Sequence, residues 1–220
     1  LTYANVAEKV DPPKKAKYEP KIYEVDQIQK MLELMAGTNI EIPLVYCVKC
    51  GMRSEEARLL TWDDIVGNTA IIRDAKTPSG ERVVELPPTV IKLNATAKAQ
   101  NEKWKVDNKD LWKENNLIWC KEDGTPYNRF YLIHRLQALL KQHEMPQIRV
   151  HDLRHMYVSL MLASGASPVD LAAQVGHSSV AFMLKVYAHS MPTNRAALAK
   201  LTDKILGKKK EKKTTPKKSR

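Results

Sequence analysis

The chain has 220 residues, 43% of them hydrophobic, and a formal net charge of +11. That length holds one sizeable domain with a real core, and no apolar run approaches the roughly 18–20 residues of a membrane span. No signal-peptide pattern opens the chain, and three cysteines, an odd number, fit a reducing cytoplasmic setting better than a disulfide framework. The charge is uneven. The last fourteen residues, "GKKKEKKTTPKKSR", hold eight Lys/Arg against one Glu, so seven net charges lie there and four on the other 206 residues. A ribosomal or histone-like protein needs more charge on its body than that.

Residues 1–20 are rich in Lys and Pro and read as an exposed linker, and the first residue, Leu1 rather than Met, suggests a piece of something longer. Residues 23–35 place Val25, Ile28, Met31, Leu32 and Met35 at helical spacing. An apolar helix ending near Gly51 follows, then a short one with Ser54 as its cap and Ala57, Leu59 and Leu60 turned inward. Two β-rich runs, 69–72 and 82–86, flank "KTPSGE", whose Pro and Gly mark a turn; Gly67-Asn68 suggests a tight turn after a third short strand. A long lysine-rich, helix-prone stretch begins at Thr89, followed by "LIWC" and a turn at Gly124. Residues 128–143 predict an amphipathic helix with Phe130, Ile133, Leu136, Leu139 and Leu140 on its apolar side.

The last third is sharply punctuated. A helix opening at "VHDLRH" stops at Gly165; Ser167-Pro168 caps a short one closed by Gly176; Ser178 or Ser179 caps another running to Tyr187. A final helix is predicted over residues 194–206. The fold class expected is mainly α with a small antiparallel β-sheet, an α+β domain over residues 21–206 followed by a disordered basic tail over 207–220.

Two motifs have ordinary explanations. Cys47 and Cys50 form a C-x-x-C, but structural zinc takes four ligands and this pair lies in an apolar helix, so two buried small side chains are expected and no metal. Residues 167–188 have the small residues and turn glycine of a helix-turn-helix, yet "VAFMLKVYA" offers one charge with which to read bases. A third motif is harder to dismiss. His151, Arg154 and His155 crowd the first turn of an apolar helix, the end where the dipole disfavours cations. Either an anion such as phosphate neutralises them, with main-chain N–H groups assisting, or Asp152 and a nearby Glu balance the Arg while the histidines stay neutral.

Taken together, "CGMRSEEARLLTWDDI" (50–65), "HDLRH" (151–155) and "VGHSSVAFMLKVYAH" (175–189) resemble the signature boxes of the tyrosine recombinases, the phage-integrase family, in the right order and with a Lys-bearing hairpin between the first two. The resemblance runs from about residue 20 to residue 192. It implies the catalytic-domain fold of that family. It also implies Arg53, Lys76, His151, Arg154, His177 and Tyr187 as catalytic residues, with Glu56 and His155 in support. Cys50 departs from the family's usual Thr at a position with no catalytic role, and the DNA-clamping domains that precede the family's catalytic domain are not in this sequence.

The residue types suit the reaction so implied, cleavage and rejoining of DNA through a 3′-phosphotyrosine. Guanidinium forks match the oxygens of a phosphodiester that gathers charge under attack. A tyrosine near its free pKa of about 10 needs a neighbour, such as His151, to take its proton. A lysine on the hairpin turn is placed to protonate the leaving 5′-oxygen. No metal or nucleotide cofactor is needed. The implied partners are double-stranded DNA at att-type core sites and three further copies of the chain on synapsed DNA, in the cytoplasm of a bacterial host at its nucleoid. The segment beyond Tyr187 is expected to dock on a neighbouring copy. The rival readings are a type IB topoisomerase-like nicking and resealing enzyme and a non-catalytic helix-turn-helix regulator.

Overall fold

A computed structural model describes residues 21–73 and 81–187. The expected linker (1–20), the hairpin turn with Lys76, the helix over 194–206 and the basic tail (207–220) lie outside the described residues. The elements are α1 (Val25–Met35), α2 (Glu41–Cys50), α3 (Ser54–Leu59), a 3₁₀ turn (Trp62–Asp64), β1 (Ile65–Val66), β2 (Thr69–Ile72), β3 (Arg82–Glu85), α4 (Pro88–Asp107), α5 (Arg129–Gln142), α6 (Val150–Ala163), α7 (Pro168–Val175) and α8 (Val180–Tyr187). The three strands form one antiparallel sheet in chain order, with Ile65 opposite Ala70 and Ile72 opposite Arg82. The α+β class expected from sequence is the class observed.

α2 is the hub. Pro43, Leu44, Val45, Tyr46, Cys47, Val48 and Cys50 are all buried, since α1, α3, α4 and α6 pack around it. Cys47 and Cys50 are free and buried, the side-chain role expected of them. Tyr46 donates its hydroxyl proton to Asn94 of α4 at 2.8 Å, satisfying two polar groups inside this core. A second apolar cluster, Val158, Leu162, Leu171, Ala172, Val175, Met183 and Tyr187, joins the C-terminal half of α6 to α7 and α8. The main core takes the other half of α6, with Val150, Leu153 and Met156. α6 therefore spans both cores, passing from one to the other between Met156 and Val158.

Several local expectations are corrected. Val25 begins α1 but is half exposed, and Ile28, Met31 and Met35 carry the buried stripe. Arg53, not Ser54, is the N-cap of α3: its backbone is extended, and its N–H is satisfied by Glu56 three residues on. That helix is only six residues long, so the chain straightens at Leu60, turning Leu60 inward and leaving Leu59 48% exposed. On α5 the core face is Leu132, Leu136 and Leu140, while Phe130 and Ile133 face solvent at 48% and 37% exposure. That helix has apolar residues on two adjoining stripes, and tertiary packing rather than periodicity selects one. β3 stops at Glu85, although Leu86 still donates to Asn68 at 2.9 Å.

Candidate active site

Arg53 stands two residues past Gly51, the left-handed cap of α2 (φ 67°). The cap ends α2 and redirects the chain, so that Arg53 follows as the N-cap of α3. Its guanidinium reaches Glu56 at 2.7 Å and the carbonyl of Gly176 at 2.9 Å. Gly176 is itself the left-handed cap of α7 (φ 68°), closed by the N–H of His177 bonding back to Ala172 at 3.0 Å. Arg154, 3% exposed on α6, donates to the carbonyl of Gly51 at 2.7 Å. Each arginine is thus aimed by the carbonyl of a capping glycine from a different segment, and these bonds draw the three sequence boxes together.

Glu56 is the shared carboxylate. Besides Arg53 it takes two hydrogen bonds from Arg82 of β3, at 2.7 and 3.1 Å, and Arg82 also donates to the carbonyl of Gln174 at 2.8 Å. Burial alone pushes the Glu56 carboxyl up, but the hydrogen bonds and charge of Arg82, then those of Arg53, hold it below the usual carboxylate range. Asp152, fully buried, caps α6 through the Arg149 N–H at 2.8 Å and pairs with the Arg149 guanidinium at 2.9 Å. Among the described residues Arg154 forms no ion pair with a carboxylate, and burial followed by the charges of Arg53 and Arg82 pulls its pKa down to about 10. Among the described residues, Glu56 and Asp152 thus pair with Arg53, Arg82 and Arg149 and leave Arg154 without a carboxylate, so this end of α6 is short of negative charge there.

The histidines report the same field. His177 is held down to about 4, by burial and then by Arg154 and Arg53. His155 is also held down to about 4, by burial and then by His151. Both are neutral at neutral pH. The rings of His151 and His155 meet edge to face with centroids 4.9 Å apart. Tyr187, the last residue of α8, is 3% exposed, and its hydroxyl is hydrogen-bonded to Nδ1 of His155. Burial pushes that phenol up to about 12, with Arg154 opposing.

Arg53, Glu56, His151, Arg154, His155, His177 and Tyr187 thus come together, and Lys76 lies outside the described residues. The tyrosine's hydrogen-bonded neighbour is His155, where the sequence offered His151 as an example. Two members were missed. Arg82 had a signal: strand alternation puts it on the same face as buried Val84, where a charge demands a partner. Gln174 had none; its side chain exchanges two 3.2 Å hydrogen bonds with the Glu85 backbone, which registers α7 against β3.

Comparison with known proteins agrees with this architecture. The model of the phage integrase family matches residues 21–194. The ICEBs1 integrase of Bacillus subtilis (strain 168) is 24% identical over 203 residues, covering 84% of this chain and 55% of that protein. An integrase of Streptomyces ambofaciens is 25% identical over 183 residues, covering 73% and 47%. The chain thus spans about half the length of these relatives. Among solved structures, the Tn1549 transposon integrase (residues 82–397) in complex with circular intermediate DNA superposes with a TM-score of 0.66 at 18% identity, over 90% of this chain and 71% of that one. The catalytic domain of bacteriophage HP1 integrase gives 0.62 at 17% identity, over 87% of this chain and all of that one. Among the described residues no helix is long and apolar enough to cross a membrane.

Proposed function

The chain belongs to the phage integrase family, and on that footing we propose that it cuts and rejoins DNA at specific sites through a covalent 3′-phosphotyrosine on Tyr187. The observation that carries the reading is the convergence of a cation-rich, carboxylate-poor pocket on a buried tyrosine hydroxyl. In this reading the scissile phosphate supplies the anion that Arg154 lacks. Arg53 and Arg154 bind its non-bridging oxygens; each is worth roughly 10²–10³ in rate, by analogy with other donors to a developing oxyanion. His151 and His177 border the same phosphate. Glu56 and Arg82 hold Arg53 in place. Lys76, between β2 and β3 in the sequence, protonates the 5′-oxygen as the Tyr187 oxygen bonds to phosphorus.

The phosphotyrosine keeps the energy of the broken bond, so attack by a 5′-hydroxyl of a partner duplex reseals the strand. The partners proposed are att-type core sites in double-stranded DNA and a tetramer of the full-length protein on synapsed duplexes, in the cytoplasm of a bacterial host.

The test is a nicked substrate that traps the protein–DNA adduct, resolved on a denaturing gel with the full-length protein. Wild type is expected to form the adduct, and Tyr187→Phe to bind DNA and form none. Lys76→Ala is expected to cleave about 10²–10⁴-fold more slowly. A substrate with sulfur at the 5′-bridging position leaves without protonation, so it should restore cleavage by Lys76→Ala and not by Tyr187→Phe. Adduct formation by Tyr187→Phe overturns the nucleophile, and absence of sulfur rescue overturns the acid. Relaxation of plasmids that lack the element's junction sequences would favour a topoisomerase-like enzyme instead.

A further inference from the structure

We propose that His155 is the base for Tyr187: its Nδ1 accepts the phenol proton as the tyrosine oxygen bonds to the scissile phosphorus, and returns it when the strand is resealed. This rests on Tyr187 being the nucleophile. The family resemblance points only to a supporting role for His155, yet in the structure it is the ring nitrogen bonded to the Tyr187 hydroxyl. The rings lie 5.8 Å apart at 41°, so the imidazole edge faces the phenol oxygen. α6 and α8 share the second apolar core, through Val158 and Leu162 on one side and Met183 and Tyr187 on the other, so the pairing is set by packing.

The groups facing this imidazole are His151, Asp152 and Arg154 on its own helix, Arg149 just before it, and Tyr187 from α8. Their balance leaves His155 neutral at neutral pH, the state a base requires. For Nδ1 to accept from the phenol, the ring proton must sit on Nε2. The phenol is held up to about 12 and the imidazole down to about 4. Proton transfer ahead of attack is therefore unfavourable, and it must accompany formation of the O–P bond. The incoming phosphate helps by placing negative charge among Arg154, His151 and the imidazole. The balance is complete. The phenol proton passes to Nδ1, giving an imidazolium; the phenol oxygen bonds to phosphorus; the P–O5′ bond breaks; and the 5′-oxygen takes its proton from the Lys76 ammonium.

The test uses the full-length protein and the nicked substrate, with His155→Asn and His155→Ala. Both variants are expected to bind DNA within a few-fold of wild type and to form the Tyr187 adduct about 10²–10⁴-fold more slowly. Added imidazole should restore rate to His155→Ala. Without it, the variants' rate should climb about tenfold per pH unit above neutrality as hydroxide replaces the base. The 5′-sulfur substrate relieves only the leaving group, so it should leave both variants slow. A wild-type rate in His155→Asn overturns the proposal. So does slowing with neither imidazole rescue nor a changed pH profile, the mark of a purely structural residue, and so does rescue by sulfur, which would place His155 at the leaving group. If wild type forms no adduct, or forms it elsewhere than Tyr187, the parent reading falls and takes this one with it; an adduct on Tyr187 with full rate in His155→Asn removes the base alone.

Discussion

Glu56 is the residue on which the site's charge balance turns, because it pairs with both Arg53 and the buried Arg82. Removing it leaves Arg82 enclosed without its carboxylate, and breaking a buried pair from one side costs about 3–5 kcal/mol. Glu56→Ala should therefore lower the unfolding free energy by about that amount in denaturant titration, besides freeing Arg53 to wander. A wild-type denaturation midpoint would show that the pair contributes little. The histidines set an acid limit of their own. His155 and His177 have folded pKa values near 4 against an ordinary 6.5, so between those values the unfolded chain binds protons that the folded chain refuses. Stability should be fully present above about pH 6.5 and fall as pH drops toward 4, with the Glu56 carboxylate adding to the loss as it protonates at lower pH still. Denaturant midpoints across that range check the sign. A phosphate in the pocket should raise both histidines, and the NMR titration of their ring protons with and without DNA should show it; unmoved pKa values would mean that the anion binds elsewhere.

Among the elements, the left-handed turn at Gly51 does the most to place the site. A Cβ there would lie 2.5 Å from Cδ1 of Tyr157 and 2.7 Å from Cγ1 of Val175, and φ of 67° strains any side chain. Gly51→Ala must push α6 and α7 apart, and it moves the carbonyl that Arg154 donates to. The left-handed backbone alone costs about 1–2 kcal/mol. The expected result is a loss beyond that, together with a drop in cleavage rate at saturating DNA. Unchanged cleavage would mean that Arg154 does not depend on this carbonyl. The sequence announced the turn, through Gly51 after an apolar run and the charged first turn of α6, because glycine and helix periodicity are local signals. The buried face of α5 and the outward Leu59 were not legible locally. Leu132 and Ile133 are equally apolar, and only the neighbours of α5 decide between them. The pairing of His155 with Tyr187 was hidden for the same reason, since 32 residues and two turns separate them.

At the scale of the whole molecule, two apolar cores meet along α6, and hydrogen bonds from Arg154 to Gly51, Arg53 to Gly176 and Tyr187 to His155 tie the site residues together. Ordered boxes of Arg, His and Tyr were legible because the proposed reaction demands those types, and Arg82 left the trace of a charge on the buried face of a strand, whereas Gln174 appears only once β3 and α7 are side by side. The basic tail adds a sequence-borne expectation. Lys208 to Arg220 carries charge without aromatic or amide groups, so deleting it should weaken binding to all DNA alike and make the salt dependence shallower. Loss of discrimination at an unchanged salt slope would contradict that role. The central claim is that Tyr187 attacks the phosphate. It is tested most directly by trapping the adduct with nicked DNA, digesting the protein and DNA, and locating the nucleotide-bearing residue by mass spectrometry. The account predicts a phosphonucleotide on Tyr187, in the peptide that follows Lys185. A nucleotide on Tyr157, Tyr127, Tyr131 or any other residue would contradict it.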